Sequence, residues 1–333
     1  MKNRESKSTE RSIDRQILEL FRERSGFVSG AELSAILKVS RTAVWKHIKT
    51  LRSQGYGITA RHSSGYRLVS APDVLTPAAV TAGLTAKILG CRIICLPETG
   101  STNSEAYRLA EEGAAEGTVI IADSQSKGKG RLGRSWLSPA GVNLYCSLIL
   151  RPPILPVDAF KFTFLSAVAV ARAIESSVSI PPLIKWPNDI LLNGKKVAGL
   201  LNEMSAETER VNFVILGIGV NLNMRPEQFP GDLRYPATSL AIESGLEISR
   251  LSFVRNLLES LDSLYTDYLC NGYGPVRDEW VARCGMIGSR VSVSVASEQI
   301  EGVATGIDDS GALLVKTATG VISRVLAGDV EIL

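Results

Sequence analysis

Ser126-Lys127-Gly128-Lys129-Gly130-Arg131-Leu132-Gly133-Arg134-Ser135-Trp136 is the stretch whose reading decides the fold. Gly128, Gly130 and Gly133 satisfy the G-x-G-x-x-G spacing of a dinucleotide-binding turn. That turn must open a helix, and here Ser138-Pro139-Ala140-Gly141 follows within a few residues. The sequence also holds no G-x-x-x-x-G-K-[ST] element, so a phosphate-loop NTPase is excluded. What remains is four cations, Lys127, Lys129, Arg131 and Arg134, interleaved with three glycines and no acid. Glycines let the backbone approach an anion closely while the long side chains supply charge. Such a loop can wrap a polyanion or an activated phosphate ester; a solvated surface loop and a second nucleic-acid patch are the competing readings.

Outward from the loop, hydrophobic patterning predicts strands on both sides, over 118–122 and 143–150. Upstream it predicts a helix over 76–84, a strand over 91–96 and a helix over 102–111. Downstream come a long apolar helix over 157–177, strands over 183–186, 190–192, 197–203 and 211–220, and helices over 250–269 and 275–283. This order gives an α+β domain, a central mixed sheet faced by helices. Beyond Gly288 only short strands appear, over 290–295, 301–306, 312–316 and 321–326, with turns at Asp309-Ser310-Gly311 and Thr319-Gly320, which predicts a small barrel.

Several further motifs carry candidate chemistry. Lys185-Trp186-Pro187-Asn188-Asp189 sets a cation, an amide and a carboxylate beside a rigid proline. Asn188 or Asp189 is a candidate for Mg²⁺ and Lys185 for a phosphate, although Pro-Asn-Asp alone is as well explained by a turn. Gly194-Lys195-Lys196-Val197-Ala198-Gly199 reads first as a hairpin, and Gly217-Ile218-Gly219-Val220-Asn221 ends an apolar strand on a polar residue. Ser101-Thr102-Asn103 precedes a helix, where capping alone would account for it. Both histidines, His47 and His62, lie far upstream. The central domain therefore has no imidazole to activate a serine or cysteine, which disfavours triad hydrolysis. Reactions whose substrates bring their own nucleophile and leaving group fit better, with the protein neutralising charge.

The first 72 residues read as a separate module. Ile13, Ile17, Leu18 and Phe21 recur at helical spacing; Ser29 is placed to cap a second helix, and Ser40 a third running from Arg41 to Gln54. Two β-prone pieces, 57–60 and 66–69, follow around a glycine-containing turn, completing a winged helix-turn-helix order. Between Leu33 and Pro72 there is no Asp or Glu but seven Lys or Arg, a one-sided charge suited to a phosphate-lined partner. With Val44, Ile48 and Leu51 as the buried stripe, Thr42, Trp45, Lys46 and Lys49 project the other way. Ser40, Arg41, Thr42, Trp45, Lys46 and Lys49 are thus candidates for the DNA major groove, and Arg61 and His62 for phosphate near the wing. A solvated face, or a Trp45 packed on a neighbouring domain, is the bland alternative.

Ser70-Ala71-Pro72 is a plausible linker, so the domains are expected at 1–72, 73–284 and 285–333. A net charge of +3 names no partner by itself. The polar start of the chain has no export signature, and its longest apolar stretch, Phe162 to Ala171, is too short to span a bilayer. A cytoplasmic protein that does not engage membranes is expected. The five cysteines show no paired spacing and are read as reduced and mostly buried.

Taken in order, these motifs resemble the biotin–protein ligase family, in particular its bifunctional members that double as the biotin operon repressor. The family's G-R-G-R-x-G-R-x-W loop stands at Gly128–Trp136, its K-W-P-N-D at Lys185–Asp189, its K-x-A-G-[IL]-L at Lys196–Leu201 and its G-[IV]-N at Gly219–Asn221. Pro236 to Leu240 and Gly306 to Ala312 are similar as well. Lys129 departs from the pattern, replacing the first loop arginine and losing its bidentate fork.

The resemblance implies a catalytic domain like that of class II aminoacyl-tRNA synthetases and biotin ligases, followed by an SH3-like barrel. It implies that biotin and MgATP yield biotinyl-5′-AMP, and that biotin then passes to a lysine of a biotin carboxyl carrier protein. By position, Ser101, Thr102, Asn103, Gln125, Gly130, Arg131 and Lys196 are implied to meet biotin. Arg131, Arg134, Lys185, Asn188, Asp189 and Asn221 are implied to serve the phosphates and Mg²⁺, Asp189 and Asn221 as metal ligands. Arg131, with Lys185 and Lys196, is the implied catalytic set, while Gly128, Lys129, Trp136 and Gly199 complete the binding surface. The resemblance further implies a homodimer, formed on loading with the adenylate, that binds operator DNA.

Overall fold

The computed structural model describes residues 13–333 apart from 15, 22, 25, 54, 62, 63, 71, 72, 234, 296 and 297, so His62 lies outside the described residues. The chain divides into two compact units, Met1–Asp73 and Val74–Leu333.

In the first unit, residues 16–21 are helical, followed by α1 (Gly30–Leu37), α2 (Arg41–Ser53) and the hairpin β1 (Gly57–Arg61) and β2 (Gly65–Ser70). The starts are set by side chains: Ser29 Oγ accepts from Glu32 N and Ser40 Oγ from Ala43 N, each at 3.1 Å. Ile17, Phe21, Val28, Leu33, Val44, Ile48, Leu51 and Ile58 form the core. A backbone bridge between Val28 and Tyr66 lays residue 28 against the hairpin as a short third strand.

The second unit is built on a seven-stranded sheet in the order β3-β4-β5-β9-β8-β7-β6. The strands are β3 (Arg92–Leu96), β4 (Thr118–Ala122), β5 (Leu144–Leu150), β6 (Leu183–Lys185), β7 (Asp189–Leu192), β8 (Lys195–Ala206) and β9 (Val211–Val220). Only β3 and β4 run parallel; every other neighbouring pair is antiparallel, so the sheet is mixed. Successive side chains of a strand point to opposite faces. One face, including Leu148, Leu200, Val214, Leu216 and Ile218, packs under α5 (Lys161–Glu175) and α7 (Arg250–Asn271) in the main core. On the other face Ile120, Ile149, Phe213 and Ile215 are covered by α4 (Thr102–Glu111). Helix α4 covers only part of that face, and the uncovered part is the floor of the cleft described below. A short α3 (Pro77–Thr81) precedes the sheet, and α6 (Leu240–Ser244) and α8 (Gly274–Arg283) complete the helices.

A second sheet, all antiparallel, runs β13-β12-β11-β10-β14, from β10 (Arg290–Val295), β11 (Glu298–Ile307), β12 (Leu313–Lys316), β13 (Ile322–Val325) and β14 (Asp329–Ile332). Its last strand returns to pair with its first.

Several expectations need correction. The helix expected over 157–177 starts only at Lys161, because Pro156 opens a separate 3-10 turn, Pro156–Asp158. The helix expected over 76–84 stops at Thr81, ahead of Gly83 at φ +81°. The cysteines are all free, but they are not mostly buried: Cys91 and Cys270 are exposed and only Cys146 is fully enclosed. Sequence spacing also missed α6 and β14.

Candidate active site

A cleft of about 270 Å³ opens on the sheet face that α4 leaves bare. Its floor is a matter of register. Gly217 of β9 pairs with Ser147 of β5 and Leu201 of β8, and Gly219 pairs with Tyr145 and Gly199. Three glycines thus remove side-chain volume from the middle of a sheet that is otherwise packed. The space above each is claimed by one group. A Cβ on Gly217 would stand 2.1 Å from Asn103 Oδ1; on Gly219 it would stand 2.6 Å from Trp136 Nε1, and on Gly199 2.9 Å from Trp136 Cζ3.

The Asn103 side is a tight hydrogen-bond network at the start of α4. Asn103 Nδ2 donates to Leu201 O at 3.1 Å and to Glu203 Oε2 at 2.8 Å. Ser147 Oγ lies 2.6 Å from Asn103 Oδ1 and 2.8 Å from Thr102 Oγ1, its one proton serving two acceptors. Gln125 Oε1 accepts from Thr102 N at 2.8 Å and from Thr102 Oγ1 at 3.1 Å, while Gln125 Nε2 donates to Ser138 Oγ at 2.9 Å. Capping therefore does not account for Ser101. It occupies the N-cap position, but its side chain makes no capping bond and Gln125 takes the first free amide instead.

The Trp136 side is cationic. Lys196 Nζ sits 5.4 Å above the Trp136 ring and 2.7 Å from Asp189 Oδ1. Arg131 donates to Asn188 Oδ1 at 3.1 Å, and Asn188 Nδ2 holds Leu200 O at 2.7 Å. Lys185 Nζ lies 4.1 Å above the Tyr235 ring. Arg134 makes a two-pronged ion pair with Asp329, tying the basic loop to β14 of the second sheet. Burial lowers the proton affinity of both Arg131 and Lys185. Five cations (Lys129, Arg131, Arg134, Lys185, Lys196) line the cleft against two carboxylates (Asp189, Asp329), an excess of three positive charges. An empty space under such a field favours a multiply charged anion.

Of the residues named from sequence in this unit, Ser101, Thr102, Asn103, Gln125, Lys129, Gly130, Arg131, Arg134, Trp136, Lys185, Asn188, Asp189, Lys196, Gly199 and Asn221 line this one cleft. Gly128 does not; it lies behind the loop, where a Cβ would stand 2.3 Å from Trp136 O. The Asn221 amide is held in the frame, accepting from Asn143 Nδ2 at 3.2 Å and donating to Thr238 O at 3.1 Å. Sequence reasoning missed Ser147, Glu203, Tyr235 and Asp329, which come from strands or connections with no local motif; Gly217 stood in the quoted stretch ending at Asn221 but was given no role of its own. It also missed an apolar wall of Met224, Phe229, Pro230 and Leu233.

In the first unit, Ser40, Arg41, Thr42, Lys46, Lys49 and Arg61 are exposed, and Trp45 keeps 52% of its surface open with Lys49 Nζ 5.5 Å over its ring. His47 turns inward instead, its Nδ1 lying 2.8 Å from Asp14 Oδ1.

Comparison with known proteins follows the same division. The model of the biotin/lipoate A/B protein ligase family matches residues 94–221, a helix-turn-helix domain matches 14–67, and a biotin protein ligase C-terminal domain matches 286–333. The bifunctional ligase/repressor BirA of Bacillus subtilis is 40% identical over 322 residues, 96% of this chain and 99% of its own. The protein of the same name from Escherichia coli is 29% identical, covering 92% of this chain and 93% of its own. Among solved structures, the biotin protein ligase of Aquifex aeolicus in complex with biotin and ATP superposes with a TM-score of 0.63 at 29% identity, over 73% of this chain and 99% of that one.

Proposed function

Because this chain belongs to the biotin protein ligase family, we propose that its cleft makes biotinyl-5′-AMP from biotin and MgATP and passes the biotinyl group to a lysine of a biotin carboxyl carrier protein. The observation that carries the reading is the cleft's two-part floor: a closed amide and hydroxyl network over Gly217 beside a space with three excess positive charges over Gly219. The first part suits a small neutral polar ring, the second a polyphosphate.

The chemistry asks the protein for charge rather than a base. A biotin carboxylate oxygen bonds to the α-phosphorus of ATP as the bond to pyrophosphate breaks. In the second step a neutral carrier amine bonds to the acyl carbon, the bond to AMP breaks, and the amine sheds a proton. Arg131, held by Asn188 and partly buried, is placed to offset charge developing at the α-phosphate. Lys185 and Lys196 serve the phosphates, and Arg134 holds the loop against β14. Among the described residues no three metal-ligating side chains converge. Asp189, one of the two carboxylates lining the cleft and the one not tied to Arg134, still fits Mg²⁺, which is commonly bound by one or two carboxylates together with substrate phosphates. When bound, Mg²⁺ supplies further charge neutralisation there; Asp189 would hold it, with Asn221 on the neighbouring wall.

The first unit, as a winged helix, makes the protein a biotin-responsive repressor, with α2 in the DNA major groove and the hairpin along the backbone. Homodimerisation on loading with the adenylate, a cytoplasmic location and domain limits at 72/73 and 284/285 complete the reading. Among the described residues no helix is long and apolar enough to cross a membrane. The return of β14 to β10 supports reading the second sheet as a curled, SH3-like barrel.

Incubation with biotin, MgATP and a carrier domain tests the enzyme directly. The expected result is a biotinyl mass increase on one carrier lysine that requires all three; no mass change overturns it.

A further inference from the structure

Beyond the groove-facing helix, we infer that Phe27, Arg61 and Arg67 form a preassembled phosphate clamp on the wing of the first unit, with Phe27 as the positioning residue. The inference rests on the DNA-binding reading above.

The geometry starts from the backbone. Residue 28 pairs with Tyr66 through two main-chain hydrogen bonds, Val28 N to Tyr66 O at 2.8 Å and Tyr66 N to Val28 O at 2.9 Å. Val28 is fully buried, so its neighbour Phe27 falls on the opposite, outer face. Across the hairpin, Ile58 pairs with Leu68 on the core side, which leaves Thr59 and its partner Arg67 on the outer side. Arg61 lies on that outer side as well, two residues along β1, opposite Gly65. The approach of residues 27–29 to the wing depends on Gly65, at φ +101°, where a Cβ would stand 2.1 Å from Val28 O.

The two guanidinium groups converge on one ring. Arg61 Cζ is 5.2 Å and Arg67 Cζ 5.0 Å from the Phe27 centroid, both within the range of a cation–π contact. Two cations gathered at one ring repel each other, and both arginines are exposed. Among the described residues neither has a carboxylate within ion-pair distance, in contrast to Arg24, which pairs with Glu32, and to Arg52, whose guanidinium is spent on Ile58 O. A phosphodiester between the two forks would relieve the repulsion. Guanidinium forks match phosphate oxygens two at a time, which a lysine cannot do. The ring fixes both forks before the anion arrives and so lowers the ordering cost of binding.

The test uses the full-length protein and a fluorescent random-sequence duplex, with anisotropy titrations between 50 and 200 mM KCl. Wild type is expected to bind with affinity falling steeply as salt rises, and Arg61→Ala or Arg67→Ala to flatten the slope of log K against log salt by about 0.9 each. Phe27→Leu keeps every charge, yet is expected to weaken binding about five-fold, the effect of two exposed cation–π contacts, with Phe27→Tyr restoring it. In an Arg61→Ala/Arg67→Ala background Phe27→Leu should change nothing, a coupling that a general loss of packing would not produce. Wild-type binding with an unaltered Phe27→Leu isotherm overturns the clamp and leaves the DNA reading intact. Salt-independent or absent wild-type binding overturns both.

Discussion

Gly217→Ala is the smallest change that should damage both the fold and the cleft. The new Cβ would stand 2.1, 2.7 and 2.8 Å from Oδ1, Cγ and Nδ2 of Asn103, so the whole amide is struck. Ordinary non-bonded contact is about 3.5 Å, so something must move by about 1.4 Å. The backbone cannot retreat, because Gly217 sits mid-strand, paired to Ser147 on one side and Leu201 on the other. Asn103 must therefore swing away from Leu201 O, Glu203 and Ser147. Each buried polar group left unsatisfied costs about 1–3 kcal/mol. With one or two such losses the stability drop is about 2–5 kcal/mol, and the melting temperature should fall by roughly 5–15 °C for a unit of this size. A positional error on this scale near the reacting groups costs about a hundred-fold in rate. The assays are thermal melting and biotin-dependent exchange of labelled pyrophosphate into ATP, with kcat/KM for biotin expected to fall about a hundred-fold. Gly100→Ala is the control, since a Cβ there meets nothing within 4 Å. Adding Asn103→Ala to Gly217→Ala should relieve the clash but recover neither melting temperature nor activity in full, because Leu201 O and Glu203 still lack the amide. A Gly217→Ala protein that melts within 2 °C or so of wild type and keeps its KM for biotin would refute the reasoning.

Arg131→Ala should slow adenylate formation by about 10²–10³-fold, the range for removing one donor to developing charge, and hasten loss of bound adenylate; unchanged turnover and retention would remove Arg131 from the mechanism. Asp329→Asn takes away the partner of Arg134, and because Arg134 is 44% exposed the gain in tryptic cleavage within residues 127–134 should be modest, about five-fold; identical digestion rates would show that the pair does not hold the loop. Lys185 binds its proton less tightly in the folded chain than in the unfolded one, chiefly through burial. Between that lowered value and the ordinary lysine value near 10.4 the unfolded chain holds more protons, so rising pH favours the fold across this window. Lys185→Met should accordingly stabilise the protein at neutral pH, with the gain shrinking as pH approaches about 10.4, while adenylation is lost; a constant difference between the two proteins from pH 7 to about 10.5 would contradict this. Burial pushes the Cys95 thiol up to about 11 and also raises Cys146 and Cys284, whereas Cys91 and Cys270 are exposed. Iodoacetamide at pH 8 should then label Cys91 and Cys270 first, which peptide mass mapping checks.

Legibility in the sequence tracked locality. The basic loop declared itself because its cations and glycines are contiguous, and the strand at Val211–Val220 because ten residues gave the apolar run room to show. β14 has only four residues, with one of them, Val330, buried, and its partner β10 lies some forty residues upstream. No periodicity survives in so short a piece. Helix α6 was within reach: Ser239 accepts from Ile242 N and Gly245 closes the far end in the left-handed region, readable as a start and a stop signal, but five residues between them fell below the length expected of a helix. Ser147 and Glu203 were missed for one cause. Ser147, Gly217 and Leu201 meet because three strands align in one register, and Glu203 reaches Asn103 from two residues further along β8. Register is a property of paired strands and leaves no mark on any of them alone.

That same register explains why the cleft lies where it does. Read every second residue, the outer face of β9 runs Phe213, Ile215, Gly217, Gly219 and, one residue past its end, Asn221. The first two are core under α4; the next two have no side chain; the last is an amide locked between Asn143 and Thr238. One strand thus passes from hydrophobic core to binding floor through loss of side-chain volume alone, with no break in its hydrogen bonding. Because the floor is sheet, it cannot move to meet a ligand, and adaptation falls to what lies above it: the Asn103 amide, the Trp136 ring and the loop behind that ring. The loop's tether, Arg134 to Asp329, is a two-pronged ion pair whose arginine is 44% exposed, so solvent screens the contact that holds the loop down. A hydrogen-bonded polar compartment beside a cationic one, both on a rigid sheet floor under a tethered loop, is what an enzyme needs if it must hold a reactive acyl phosphate away from water and still release it to a second substrate.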